Sequence, residues 1–249
     1  MQDATTTGIG ASRFSGTGIH KRFGALSVLE NVDFSMGLSE AVGIVGPNGA
    51  GKTTLLATLS GAYPPSAGTV TFAGRDVTRQ SAAERCRAGL VRTHQVPKPF
   101  SGMTTFENVY VAASHAVNNR DEAYQRVIDA LELCGMLDVA NRRAETLGLL
   151  DRKRLELARS LATGPKVILL DEIGGGLTDS EAQELVLTIQ ELKRRGIGIV
   201  WIEHIVHVLL QVVDRLICMD AGKIIADGDP QTVMSDPHVV KAYLGGGPK

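Results

Sequence analysis

The stretch Gly46-Pro47-Asn48-Gly49-Ala50-Gly51-Lys52-Thr53 constrains the fold of this chain more than any other. It fits G-x-x-x-x-G-K-S/T in the context that motif needs, with an apolar run at 41–45 before it and helical composition over 51–60 after it. Glycines let a backbone turn tightly about an anion with successive N–H groups facing inward, and the following helix offers its positive end to phosphates. In this reading Lys52 reaches the β/γ-phosphates, the Thr53 hydroxyl ligates Mg²⁺, and Thr54 belongs to the same cradle. The ligand implied is a nucleoside triphosphate.

A second signal is Val167-Ile168-Leu169-Leu170-Asp171-Glu172, whose Asp171 lies 118 positions beyond Thr53. A continuously apolar run is what a central parallel strand covered on both faces requires. It delivers two adjacent carboxylates at its C-terminal end, where α/β sheets place ligands. Asp171 is expected to hold Mg²⁺ directly or through water, and Glu172 to polarise the water that attacks the γ-phosphate.

The rest of the 249 residues fits one α/β domain over 14–249 with a sub-domain inserted in it. Short runs at 17–20, 32–35, 41–45 and 69–72 read as strands. Ser81-Ala82-Ala83-Glu84 and Thr104-Thr105-Phe106-Glu107 are capping boxes that open helices. From about 96 to 164 only helices are expected, forming the helical sub-domain. A strand at 167–170, a helix from about 180 to 195 closed by Gly196, a strand at 199–202, a hairpin around Asp220-Ala221-Gly222 and a last helix after Asp236-Pro237 follow. Residues 1–13 carry no apolar core of a signal peptide and read as a flexible tail. No run of about 18 apolar residues occurs, so any membrane work needs a spanning partner. The net charge of −1 argues against a nucleic-acid footprint. The three cysteines, widely spaced and without CxxC, read as reduced thiols of a cytoplasmic protein.

With these motifs in order, the chain from about 14 to 244 resembles the ATP-binding subunits of ABC transporters. The resemblance implies a P-loop NTPase fold of the ABC ATPase type, with a mixed sheet core, an inserted helical sub-domain and an N-terminal antiparallel β region. It implies ATP and Mg²⁺ as ligands and ATP hydrolysis as the activity. Residue by residue it implies further roles. Gln95, in Arg92-Thr93-His94-Gln95, touches Mg²⁺ or the attacking water, and His204, in Trp201-Ile202-Glu203-His204, is the switch histidine. Asp179 belongs to the D-loop Gly176-Leu177-Thr178-Asp179, and Phe23, in Lys21-Arg22-Phe23-Gly24, stacks on adenine. The implied partners are a second ATPase subunit, identical or not, transmembrane permease subunits and, indirectly, a periplasmic or extracellular solute-binding protein. The implied location is the inner face of the cell membrane. Within the family, Met103-Thr104-Thr105-Phe106-Glu107-Asn108-Val109 and the ending Ala242-Tyr243-Leu244-Gly245 look like the branched-chain amino acid importers and their relatives for small polar solutes.

One segment departs from the family pattern. The signature usually reads L-S-G-G-Q or L-S-Y-G-D/Q, whereas this chain has Leu147-Gly148-Leu149-Leu150-Asp151 before an intact Arg154-Leu155-Glu156-Leu157-Ala158-Arg159. The family serine donates to ATP held by the opposite subunit; Gly148 has no hydroxyl and Leu150 adds bulk. The expectation is a complete phosphate side and a weakened signature side. Three rivals are a soluble ABC ATPase of DNA repair or translation, which would need a coiled-coil insertion, a second cassette or a basic surface that the sequence does not show, a regulatory subunit that binds ATP and hydrolyses it slowly, and a GTPase. The last rests on a fit of Asp171-Glu172-Ile173-Gly174 to DxxG, but no NKxD follows it.

Overall fold

The computed structural model describes residues 13–244. The expected tail at 1–13 lies outside the described residues except for Arg13, which is already the first residue of a strand.

Ten strands and nine α-helices are found among the described residues. In chain order they are β1 (Arg13–Phe23), β2 (Leu26–Gly37), β3 (Ala41–Val45), α1 (Lys52–Leu59), β4 (Ala67–Phe72), β5 (Arg75–Asp76), α2 (Ala82–Arg87), β6 (Leu90–Arg92), α3 (Thr105–Ala116), α4 (Arg120–Leu133) and α5 (Leu149–Ala162). Then come β7 (Val167–Asp171), α6 (Asp179–Arg194), β8 (Gly198–Ile202), α7 (Val206–Leu209), β9 (Arg215–Asp220), β10 (Lys223–Gly228), α8 (Pro230–Ser235) and α9 (Pro237–Leu244).

The strands form two sheets. A six-stranded sheet runs β10-β9-β3-β8-β7-β6, parallel except for the β9–β10 hairpin. A four-stranded antiparallel sheet runs β2-β1-β4-β5. The continuous apolar runs have a direct cause, because both faces of the large sheet are covered. Val167 and Leu169 join the core shared with α1 and the antiparallel sheet, whereas Ile168 and Leu170 join the core shared with α3 to α6. Side chains alternate faces along a strand, so a strand buried on both sides has no polar positions.

Both expected capping boxes form, with Ser81 and Thr104 as caps. A third is present: Thr178 caps α6 and Glu181 reaches back to it, starting that helix before residue 180. The apolar face of α6 is buried as its period requires, at Ala182, Leu185, Ile189 and Leu192. Between 96 and 164 no strand forms, and the described residues add only one isolated bridge, Thr104 with Arg143. Arg85 is fully buried and donates to the carbonyls of Thr58 and Leu59, which anchors the C-terminal end of α1. No described helix is long and apolar enough to cross a membrane. The three cysteines are free, Cys134 and Cys218 being buried.

Candidate active site

The site lies where β3, β7 and β8 end. Parallel register brings their C-terminal ends to one edge: Asp171 pairs with Ile202, and Ile44 pairs with Ile202 on the other side. The loop after β3 then turns back on itself. At Gly46 φ is 144°, and a Cβ there would stand 2.1 Å from the carbonyl oxygen of Met219 in β9. Only glycine fits such an approach.

Gly51 sits at the N-cap of α1 with no side-chain cap, and the first turn of α1 carries no acidic residue. The helix start therefore keeps its amides and positive end for an external anion. A cavity of about 180 Å³ opens there, lined by Val28, Asn48, Gly49, Ala50, Gly51, Lys52, Thr53, Thr54 and Glu172. Lys52 is 6% exposed, and its Nζ donates to the carbonyls of Gly46 at 2.7 Å and Pro47 at 3.0 Å. Burial lowers its pKa, against the opposing pull of Glu172, Cys218 and Asp171. A partly desolvated ammonium beside uncapped amides suits phosphate.

The carboxylates stand opposite. Thr53 Oγ1 donates to Asp171 Oδ1 at 3.3 Å, so the hydroxyl and carboxylate expected to share a cation are adjacent. Glu172 has φ 49°, a left-handed conformation unusual outside glycine, which turns the chain sharply just after β7. Its side chain is held at both oxygens: Gln95 Nε2 donates to Oε2, and His204 Nε2 donates to Oε1 at 2.9 Å. Asp171, Glu172, Gln95 and His204, separated by up to 109 positions between Gln95 and His204, thus converge beside the phosphate loop.

The donor set fits Mg²⁺. A threonine hydroxyl, a carboxylate and the amide oxygen of Gln95, whose NH₂ is already used on Glu172, are hard oxygen ligands.

Phe23, Leu147–Asp151 and Asp179 do not line this cavity. Phe23 is 43% exposed and packs edge-to-face on Tyr63, with centroids 5.3 Å apart. Lys21 Nζ lies over both rings. The signature stretch differs from the loop expected over 147–151. Helix α5 begins at Leu149 with Gly148 as its N-cap, so Leu149, Leu150 and Asp151 form the first helical turn. Asp179 is exposed at the start of α6.

Sequence reasoning missed several contributors. Val28 lines the cavity from β2. Arg92 Nη2 lies 2.7 Å from Asp171 Oδ2, an ion pair whose acid is fully buried. Glu203, 2% exposed, accepts from the backbone of Gly174 and His204. Lys153 in α5 donates to the Glu172 carbonyl at 3.4 Å. The available signal was a charge placed directly after an apolar strand run, as in Leu90-Val91-Arg92 and Trp201-Ile202-Glu203. A second link runs from α5 to the segment carrying Gln95: Glu156 accepts from His94 N, and Arg159 bonds both Glu156 and the Lys98 carbonyl.

Known proteins resemble this chain in sequence and in fold. The ABC transporter family model matches residues 29–174, and that of the branched-chain amino acid ATP-binding cassette transporter matches residues 223–248. The high-affinity branched-chain amino acid transport ATP-binding protein LivG of Salmonella typhimurium is 35% identical over 92% of this chain and 96% of its own length. BraF of Pseudomonas aeruginosa, which carries the same descriptive name, is 32% identical over 92% and 96%. A crystal structure of an ATP-binding cassette of an ABC transporter in its ADP conformation superposes with a TM-score of 0.85 at 30% identity, covering 94% of this chain and 99% of that one. The chain belongs to the ABC transporter family, as one of its ATP-binding cassettes.

Proposed function

We propose that this ATPase cassette energises an importer of branched-chain amino acids or related small polar solutes, working as one half of an ATP-bridged dimer beneath permease subunits. The observation that carries the catalytic part is the clasp on Glu172, whose two oxygens are held by Gln95 and His204 beside the phosphate loop. The cargo class is supported by the match at 223–248 and by the printed names of the relatives.

In this reading Lys52 and the amides at the α1 start bind the β- and γ-phosphates, and Phe23 stacks on the adenine. Thr53, Asp171 and Gln95 hold Mg²⁺, which when bound neutralises charge on the phosphate oxygens. His204 and Gln95 orient Glu172, which accepts a proton from the water attacking the γ-phosphorus. Phosphoryl transfer depends mainly on such positioning and charge stabilisation. The signature residues 147–151 and Asp179, lying away from the chain's own cavity, face the ATP of a second subunit. The helical sub-domain at 96–164 moves against permease helices, and the ties of α5 to His94 and Lys98, on either side of Gln95, link that movement to the site. A solute-binding protein delivers cargo on the far side, which puts the cassette on the inner face of the cell membrane.

The test uses the purified full chain and a fluorescent ATP analogue with Mg²⁺. Wild type binds it, and Lys52→Ala loses binding. Glu172→Gln keeps binding and stops turnover. Retained binding and turnover in Lys52→Ala would overturn the catalytic reading. Co-purification of permease subunits and stimulation of ATPase rate by a branched-chain amino acid on its binding protein test the cargo; stimulation by an unrelated solute only would overturn that part.

A further inference from the structure

Asp171 is the only one of the two strand-end carboxylates that is wholly buried, and it is shared between two donors. Thr53 Oγ1 approaches Oδ1 at 3.3 Å, and Arg92 Nη2 approaches Oδ2 at 2.7 Å. Arg92 engages through a single nitrogen. Its Nε is buried without a hydrogen-bond partner, so the guanidinium makes no two-pronged grip on the acid. A one-pronged pair with an orphaned buried donor is a poor stability device, since bidentate geometry supplies most of the strength of such pairs and an unmade buried bond is penalised. It is nonetheless a sound way to keep a buried carboxylate from being unpaired.

The position of Arg92 gives the pair a consequence. It ends β6, a three-residue strand at the edge of the large sheet that pairs, among the described residues, only with β7. Three residues later comes Gln95, which donates to Glu172. Short edge strands are the elements that detach most readily.

We infer that Arg92 is a resident counter-cation of Asp171 that competes with the divalent cation for this carboxylate. Two cations on one buried acid repel each other, so loading with Mg²⁺ and nucleotide displaces Arg92 from Oδ2. The backbone beyond β6 stays in place, because Thr93 bonds the Leu169 carbonyl and His94 N–H donates to Glu156. Arg92 is a positioning residue that sets how much Mg²⁺ is needed to load the site. The inference rests on the proposed role of Asp171 in holding Mg²⁺.

The test places Arg92→Met and Arg92→Lys in the full-length Glu172→Gln chain, where turnover is stopped. Nucleotide binding is titrated with Mg²⁺, and thermal unfolding is followed with and without saturating Mg²⁺ and ATP. Removing the competitor lowers the half-saturating Mg²⁺ concentration about tenfold in Arg92→Met, and less in Arg92→Lys, which keeps a charge but reaches less far. Arg92→Met lowers the unfolding midpoint without ligand, and saturating Mg²⁺ with ATP closes most of that gap. An unchanged or raised half-saturating Mg²⁺, or an equal loss of midpoint in both states, overturns the inference by making Arg92 a fixed structural partner. If Arg92→Met does not fold, Arg92→Lys decides by the same Mg²⁺ titration. Failure of the Glu172→Gln parent to bind ATP at all removes the proposed function and this inference together, and is distinguished by that parent control.

Discussion

Glu203 and Gly174 are joined across the end of the large sheet: Glu203 Oε2 accepts the Gly174 N–H at 2.9 Å. The other oxygen, Oε1, accepts the His204 N–H at 3.0 Å. This buried acid, 31 positions from Glu172 in sequence, therefore fastens the turn after Glu172 to the residue whose ring clasps Glu172. A Cβ on Gly174 would stand 2.9 Å from Glu203 Oε2, so a larger residue there must shift that carboxylate. Glu203→Ala leaves the buried Gly174 N–H and the partly buried His204 N–H unpaired and is expected to destabilise the fold by about 1–3 kcal/mol. Glu203→Gln keeps the shape but turns an NH₂ toward one of these N–H groups. Its expected effect falls on kcat, with nucleotide affinity close to wild type, because Lys52 and the loop are untouched. Denaturant unfolding and a kcat-against-KM comparison measure the two parts; an affinity loss larger than the rate loss would refute the assignment.

Two glycines of the phosphate loop separate space from backbone strain. Gly46 has a Met219 carbonyl 2.1 Å from the point where a Cβ would go, whereas Gly49, with φ 82°, has nothing within 4 Å. Gly49→Ala pays only the left-handed penalty, about 1–2 kcal/mol, and folds. Gly46→Ala must push β9 away from β3 and is expected to lose both native stability and ATP binding. Unfolding curves and analogue binding on the two variants check the contrast. Equal behaviour of both would show that the loop relaxes around Gly46.

Acid stability is set in part by three helix caps. Glu84, Glu107 and Glu181 each accept from the N–H and O–H of their own cap residue, Ser81, Thr104 and Thr178. These bonds lower each pKa from the ordinary 4.5; the Ser81 hydroxyl dominates for Glu84 and the cap N–H for Glu107 and Glu181. In the folded chain the carboxylates stay ionised to lower pH than in the unfolded chain, so the unfolded chain takes up protons first. Their stabilisation is whole above about pH 4.5 and fades as pH falls through the lowered folded values. The unfolding midpoint should drop between about pH 5 and pH 3, with a shallower slope when all three are changed to Gln. Identical slopes would remove the caps from the acid response.

Much of this was legible in the chain because it is local. The phosphate loop is eight consecutive residues, and the strands β3, β7 and β8 are apolar runs because both their faces are covered. The missed elements are short or at edges. The strand β5 has two residues and β6 three, too few for any period, and β6 ends on a charge. Helix α8 carries the Asp-Pro start at Asp229-Pro230 but runs for only six residues. The non-local polar pairs were illegible for a different reason. Arg92 meets Asp171 across 79 positions, and Gly174 meets Glu203 across 29. Nothing in either segment's own pattern announces a partner that only strand order supplies. The start of α5 was misjudged because its cap is Gly148, which lacks the polar oxygen by which caps are recognised.

Position 148 has room for the missing oxygen. Gly148 has φ −67° and ψ 176°, the extended backbone of an ordinary cap, and a Cβ there meets nothing within 4 Å. Gly148→Ser therefore fits without strain. Its hydroxyl can accept an amide of the first turn of α5, which is worth a few tenths of a kcal/mol over glycine, roughly, so stability rises slightly. On the proposed function, in which this stretch faces the ATP of a second subunit, the same hydroxyl is placed to donate to that ATP. Restoring one such donor can raise turnover by up to about 10²–10³. Leu150→Gly is a poorer repair, because residue 150 lies inside the first helical turn, where glycine destabilises by about 1 kcal/mol. ATPase rates measured across a range of protein concentration, so that dimer formation is separated from chemistry, distinguish the cases. A faster Gly148→Ser at saturating protein, with unchanged ATP affinity, identifies the signature as the step that limits this chain. Equal rates mean that the amides at the start of α5 already do the work of the serine.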